Sequence, residues 1–376
     1  MKNIKMKIAI LTQPLHNNYG GLLQAFALQH YLKCQGHDVL TVDFAWNNNL
    51  RYFGIKSIIG SSIRKYVFRR PIKSIFPVTE QQKRAIGQHT NRFTAEHINT
   101  TQKIHSVEEF SYIKPYQFDA YVVGSDQVWR PTYSPGISAF FLSFLSKEDK
   151  AKRIAYAASF GVDHCDEFSP ELLAECAPLL QHFDAVGVRE DSAVDLCQQY
   201  FGVTAEHVID PTLLLDKEVY CDLVAQDKTL PSSGNMMVYV LDKAPEKQHI
   251  IKTVAKQRGL TSFTVMQEQS GIYPPVTQWL RGFLDAEYVV TDSFHGVVFS
   301  IIFNKPFIAI GNHGRGLARF TSILAMFSLQ DRLIFSPADL NDQLINQPID
   351  FTKVNKLKAE KQQFAMKFLN HALTGK

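Results

Sequence analysis

The sequence reads as an α/β protein, two Rossmann-like halves facing a cleft and followed by a long C-terminal helix. Three observations predict this. Short apolar runs alternate with helix-like segments at the spacing of βαβ units, which requires parallel sheets. The alternation occurs twice, in two series joined near 210–235. The final stretch, Lys353–Leu373, has helical character and no strand after it. The expected domains are therefore 1–210, 211–350 and a terminal helix over 351–376, which suits a chain of 376 residues.

In the first series, Lys7–Thr12 is an apolar strand. Gly20–Gln35 places Leu22, Leu23, Phe26, Ala27 and Tyr31 at helical spacing, and Gly36 closes it. His37–Phe44, Asp119–Val123, Ile154–Ser159, Asp184–Val188 and the short His207–Ile209 are the following strands. Ser169 is the N-cap and Pro170 the first residue of one helix, and Asp191/Ser192 open another that runs through Gln199. Asp216–Pro231 is a polar connection, ending in the turn Ser232–Asn235. The second series has strands at Met236–Leu241, Thr261–Met266, Tyr288–Thr291 and Pro306–Ile310. Its helices are Pro245–Arg258, ended by Gly259, then Val276–Asp285 and Gly296–Phe303.

Composition excludes several classes. Hydrophobic residues make up 45% and charged residues 20%, which is a folded chain. A net charge of +4 is too small to argue for nucleic acid. Five cysteines without a C-x-x-C suit a reducing cytoplasm better than a disulfide framework or a zinc site. No apolar run approaches the ~18 residues of a membrane span. Arg51–Pro77 carries seven Lys or Arg and no acid, interleaved with aromatic and aliphatic residues, and Arg84 and Arg92 extend it. Over 51–92 this reads either as an element for a membrane surface or an anionic ligand, or as a solvated helix packed on its own domain.

In open parallel sheets ligands sit beyond the carboxyl ends of the strands. The residues there are small and polar. Asn18, Tyr19, Gly20 and Gly21 open the first helix, where backbone N–H groups can hold an anion or a sugar; the same glycines also suit a tight turn. Asp126, after Gly124-Ser125, is a candidate acid or base, or else a helix cap. Arg189 is a candidate anion clamp, or the partner of Glu190 or Asp191. His295 follows Asp292-Ser293-Phe294 in the first turn of an apolar helix, where Ser293 can cap and the histidine can move a proton. Arg315 and Arg319 stand one helical turn apart, beside Asn312 and His313, either facing one phosphate or lying on a solvated face. No H-E-x-x-H, Walker lysine or G-x-S-x-G is present, so a metal-free site is expected, with Arg, His and helix dipoles supplying the electrostatics.

Taken in order, six stretches resemble the polysaccharide pyruvyl transferase family. They are Asn18–Leu28 (NYGGLLQAFAL, with Gln24), Val122–Trp129 (VVGSDQVW, with Ser125 and Asp126), Ala155–Gly161, Val188–Ser192, Asp210–Leu214 and Thr291–Gly296 (TDSFHG). The resemblance implies a glycosyltransferase-B-like fold. It implies transfer of pyruvate from phosphoenolpyruvate to two hydroxyls of a sugar, as a cyclic ketal, on a cell-surface polysaccharide precursor. Phosphoenolpyruvate is the donor substrate and no separate cofactor is implied. His295 and Asp126 would form the acid–base pair, and Arg189 would bind carboxylate or phosphate. Asn18, Tyr19, Gly20, Gly21, Gln24, Ser125, Ser293, Asn312, His313, Arg315 and Arg319 would line the substrates. Family members often carry Arg-Leu-His where this chain has Ser293-Phe294-His295, so Arg315 or Arg319 replaces that arginine or the donor differs. A sugar or lipid-linked oligosaccharide acceptor would place the protein in the cytoplasm, with the 51–92 region at the inner membrane face. A nucleotide-sugar glycosyltransferase of the same fold and a non-catalytic sugar-binding member are the alternatives.

Overall fold

The computed structural model describes residues 5–46, 80–266, 271–311 and 316–375. The strands are β1 (Lys7–Leu11), β2 (Asp38–Thr41), β3 (Ala120–Val123), β4 (Lys152–Ala158), β5 (Ala185–Val188), β6 (Glu206–His207), β7 (Met236–Tyr239), β8 (Ser262–Phe263), β9 (Tyr288–Thr291), β10 (Phe307–Ile310) and β11 (Leu333–Ile334). Among the described residues they form two sheets, ordered β2-β1-β3-β4-β5-β6 and β11-β10-β9-β7-β8. Every named pairing is parallel. The helices that matter below are α1 (Tyr19–Cys34), α2 (Glu80–Ile86), α3 (Gln88–His97), α4 (Pro170–Leu180), α5 (Lys217–Gln226), α6 (Pro245–Arg258), α7 (Val276–Asp285), α8 (Phe294–Ile302), α9 (Leu317–Met326) and α10 (Phe351–Thr374). The α/β class and the two-sheet plan are as expected from the sequence.

Local chemistry explains the boundaries that match. Ser169 Oγ accepts from Leu172 N at the start of α4, and Pro170 is its first residue, where a missing N–H costs nothing. Gly259 ends α6 in the left-handed region, at φ 63°. β1, β3 and β9 are buried on both faces, as parallel strands covered by helices must be. α1 buries most of its circumference because it lies between the first sheet and the turn Pro211–Leu214.

Other expectations are corrected. The polar stretch Asp216–Pro231 contains α5, which buries only Tyr220, Leu223 and Val224 and so shows little apolar signal. The helix expected through Gln199 is α-helical over Ser192–Leu196 and then widens to a π turn over Cys197–Phe201, ended by Gly202 at φ 66°. Thr261–Met266 shrinks to β8. Ser293 occupies the N-cap position of α8 without a side-chain cap bond; its own N–H donates to Thr291 Oγ1 instead. The basic stretch 51–79 lies outside the described residues. Of its extension, Arg92 is not a free surface cation: it pairs with Asp227 at 2.7 Å, tying α3 to the end of α5.

The two halves share one hydrophobic cluster, which includes Leu23 and Leu28 of α1 and Trp279, Val297 and Phe299 of the second half. Tyr19 stacks on Trp279 at 5.7 Å and its hydroxyl donates to Pro274 O. α10 returns to the first half. Gln362 Nε2 donates to Leu213 O, and the Phe368 ring lies 6.3 Å from Tyr156. Gly187 of β5 makes room for it, since a Cβ there would sit 3.0 Å from the Phe368 ring.

Candidate active site

The carboxyl ends of β3, β4 and β5 and the residue that opens the Pro211–Leu214 turn converge on one buried point. After β3 the chain turns at Gly124, φ 126°, whose α-carbon lies so close to β4 that a Cβ would stand 2.1 Å from Tyr156 O. Asp126 follows in the left-handed region, φ 71°, and pairs with Ala158 across the continuing sheet. No helix starts there, so the capping reading of Asp126 does not apply. β4 carries a register shift between Ala155 and Ala158, with Ala157 at φ 50°, and this offsets the end of β5. Arg189 emerges from that end with only 1% of its side chain exposed.

Its guanidinium is enclosed by acids. Arg189 donates from Nη2 to Asp126 Oδ1 at 3.0 Å and from Nη1 to Asp210 Oδ2 at 3.0 Å, and its Nε lies 4.0 Å from Glu190 Oε2. The cation also stacks over the Phe294 ring at 4.5 Å. Asp191, the other partner read from the sequence, turns away to accept from Ser192 N. Asp210 is itself crowded with donors. Its Oδ1 accepts from Thr212 N and Thr212 Oγ1, and Ser125 Oγ reaches its Oδ2 at 3.4 Å.

The second half contributes His295 from the first turn of α8. Its Nε2 lies 3.7 Å from Asp210 Oδ2, and among the described residues it has no hydrogen-bond partner. The ring packs against the first turn of α1. A Cβ on Gly20 would fall 2.0 Å from His295 Nδ1, so no residue with a side chain fits there unless the histidine moves. Gly296 has a similar constraint, with Thr291 Oγ1 2.1 Å from its absent Cβ. Gly20 therefore lets the two halves meet backbone to ring, while Gly296 lets α8 start close against Thr291 of β9.

The electrostatics follow from burial opposed by charge. Burial pushes the Asp126 carboxyl up, but Arg189, His295 and Arg319 outweigh it and hold it below the ordinary carboxylate range. The same balance puts Asp210 lower still: burial is overcome by His295, Arg189 and the Thr212 N–H. Glu190 goes the other way. Its Oε1 accepts from Ser159 Oγ at 2.6 Å and from Gly161 N at 2.9 Å, yet burial dominates and raises it. Burial and the neighbouring Arg189 push the half-buried Arg319 of α9 down to about 10, which leaves it charged at neutral pH. The site thus holds two carboxylates held low, a third pushed up by burial, two guanidiniums and an imidazole.

The sequence-expected residues fall into three groups. Asp126, Arg189, His295, Ser125, Gly20 and Arg319 meet at this centre. Gln24 supports it: its Nε2 donates to Thr12 Oγ1 and Gly21 O, and its Oε1 accepts from Ser125 N. Asn18, Tyr19, Gly21 and Ser293 frame it. Asn18 Oδ1 caps α1 by accepting from Gly21 N, and Tyr19 belongs to the aromatic contact between halves. Asn312, His313 and Arg315 lie outside the described residues.

A family model described as polysaccharide pyruvyl transferase matches residues 18–314. The chain belongs to that family. Among curated proteins none matches by sequence. Among solved structures, this polysaccharide pyruvyl transferase family member is similar to a putative UDP-N-acetylglucosamine 2-epimerase from Listeria monocytogenes, at 12% identity and TM-score 0.51. That match covers 96% of this chain and 91% of the other. It is also similar to UGT89C1 of Arabidopsis thaliana, crystallised with UDP-L-rhamnose, at 9% identity and TM-score 0.50, covering 99% and 100%. At these identities the likeness is one of fold, the glycosyltransferase-B arrangement of two Rossmann-like halves.

Three residues at or beside this cluster were not singled out as functional from the sequence: Asp210, Glu190 and His16. Asp210 carries the signal that marked Asp126, a carboxylate just past a short strand. Glu190 stood beside Arg189 but was read only as its partner. His16 precedes α1 with no local pattern; it is exposed yet closely flanked, and burial lowers its imidazole against the pull of Asp126.

Proposed function

We propose that the chain transfers pyruvate from phosphoenolpyruvate to two hydroxyls of a sugar in a cell-surface polysaccharide precursor, closing a cyclic ketal and releasing phosphate. The observation that carries this reading is the meeting of His295, from one half, with the Asp126–Arg189–Asp210 cluster of the other, at the carboxyl ends of both sheets. An acid–base pair beside guanidinium groups is what an anionic enol ether requires.

In this mechanism a proton from the acid adds to C3 of the enol, and positive charge develops at C2. The first sugar hydroxyl attacks C2 and gives its proton to the base. The C2–O bond to phosphate then breaks, and the second hydroxyl attacks C2. Its proton leaves with the phosphate, so atoms and charge balance without oxidant or metal. With Asp126 held ionised, Asp126 takes the base role and His295 the acid role. Asp210, 3.7 Å from Nε2, orients the imidazole. Because Arg189 is hydrogen-bonded to both Asp126 and Asp210, its part is to keep them ionised and placed. The phosphate is then met by Arg319, which lies 5.9 Å from the Phe294 ring.

The test is a thermal-shift titration with phosphoenolpyruvate beside a panel of nucleotide sugars, followed by phosphate release with candidate acceptors. Stabilisation by phosphoenolpyruvate that weakens in Arg319→Gln supports the donor assignment. Stabilisation by a nucleotide sugar alone refutes it.

A further inference from the structure

α9 belongs to the second half, yet its start is fastened to the first. Gly316, at φ 78°, precedes the helix so close to the loop after β4 that a Cβ on it would stand 1.9 Å from Gly161 O. Gly161 is itself fixed, since its N–H is shared by Glu190 Oε1 and Ser159 Oγ. Further along α9 the buried Ser322 Oγ accepts from Asp191 N at 3.0 Å. The same oxygen lies 3.1 Å from His207 Nε2 of β6, and that nitrogen lies 3.1 Å from Arg189 O. A carbonyl oxygen can only accept, so Nε2 carries the hydrogen and divides it between Arg189 O and Ser322 Oγ. Burial lowers the His207 imidazole and favours that neutral form.

These bonds all end on the turn Arg189–Asp191, whose Arg189 and Glu190 side chains enter the catalytic centre. Arg319 stands three residues before Ser322, on the same face of α9. Its Nε is buried, its guanidinium lies 5.9 Å from the Phe294 ring, and it feels the charges of Arg189, Asp126 and Glu190. Apolar packing tolerates small slides, whereas a hydrogen bond weakens steeply with distance and angle. Ser322 thus sets the register of α9 against the turn after β5. We propose that Ser322 is a positioning residue: with His207 it latches α9 to the Arg189–Asp191 turn and so holds Arg319 at the catalytic centre. The inference rests on the pyruvyl-transfer reading for the ligand that Arg319 meets, and the experiment separates the two.

The ligand-free arm is phenylglyoxal labelling of the full chain, resolved to single arginines by peptide mass spectrometry. In Ser322→Ala, Arg319 should label about fivefold faster or more, while Arg153, buried in the first half, keeps its wild-type rate. His207→Leu, which removes the shared hydrogen, should speed Arg319 in the same way. The ligand arm is a thermal-shift titration with phosphoenolpyruvate of wild type, Ser322→Ala, Arg319→Gln and the double variant. Ser322→Ala should weaken binding about tenfold in the wild-type background and less than about twofold once Arg319 is replaced, because a residue that acts through another then has nothing left to position. The inference is overturned if Arg319 labels at the wild-type rate in both single variants, or if Arg153 speeds up with it, which marks general loosening. Equal weakening of phosphoenolpyruvate in both backgrounds overturns it as well. If phosphoenolpyruvate does not stabilise the wild type, the donor reading falls, and the labelling still decides whether Ser322 places Arg319.

Discussion

Replacing Arg189 with leucine should destabilise the protein in a pH-dependent way that exposes the charge balance of the site. The substitution removes two hydrogen bonds of 3.0 Å and leaves Asp126, Asp210 and Glu190 buried around an apolar side chain. Removing one member of a buried ion cluster costs about 3–5 kcal/mol, because the remaining charges lose their compensation. If the halves melt together, 376 residues at about 2.1 cal/mol/K each make this a fall in Tm of about 4–6 °C. The sign of the pH effect follows from the direction of each shift. In the wild type Asp126 and Asp210 are held low, so their stabilisation is present above the ordinary carboxylate value and lost as pH falls through their lowered values. Without Arg189, Asp126 loses the strongest of the charges that hold it down and Asp210 loses one of its several partners, so both are held ionised less firmly and the variant gains less stability from rising pH than the wild type. The gap between wild type and variant should thus be largest at pH 8 and shrink toward pH 4.5. Differential scanning calorimetry of both proteins at pH 4.5, 6 and 8 measures it. A deficit below about 1 kcal/mol, or one that does not change with pH, would refute the argument.

Four further outcomes are expected. His295→Ala should lower phosphate release by roughly 10²–10⁴-fold while the fold is retained, and near-normal turnover would remove it from the acid–base pair. Gly20→Ala should push His295 from its seat, costing about 1–3 kcal/mol in urea unfolding together with a large loss of turnover. Glu190→Gln should stabilise the protein at pH 8 and do so progressively less toward pH 4.5, because a carboxyl raised by burial is a cost only when ionised. Leu369→Ala in α10 should cost about 2–5 kcal/mol and lower the unfolding temperature, since this helix packs against the first half through the shared core.

The sequence by itself determined the order of the main strands and of the helices with a clear apolar stripe or cap, though not α5, whose few buried residues give little signal. Apolar periodicity, the Ser169-Pro170 start and the Gly259 stop act over one or two helical turns, so they are legible without the fold. The rule that ligands gather beyond strand ends was enough to select Asp126, Arg189 and His295 as neighbours of one cleft. The pairing of those residues was not legible. Arg189 and Asp126 stand 63 positions apart and meet only because β3 and β5 flank β4 in a sheet whose register shifts at Ala155–Ala158. The same holds for His295 and Asp210. The seating of the histidine depends on α1 lying close enough that Gly20 must lack a side chain. The return of α10 to the first half was likewise decided by packing, through Phe368 over Gly187. Caps and periodicity are short-range and written into neighbouring residues, whereas a charge cluster is a property of distance in space. Its sign and its protonation states come from burial and from partners that only the folded chain brings within a few ångströms.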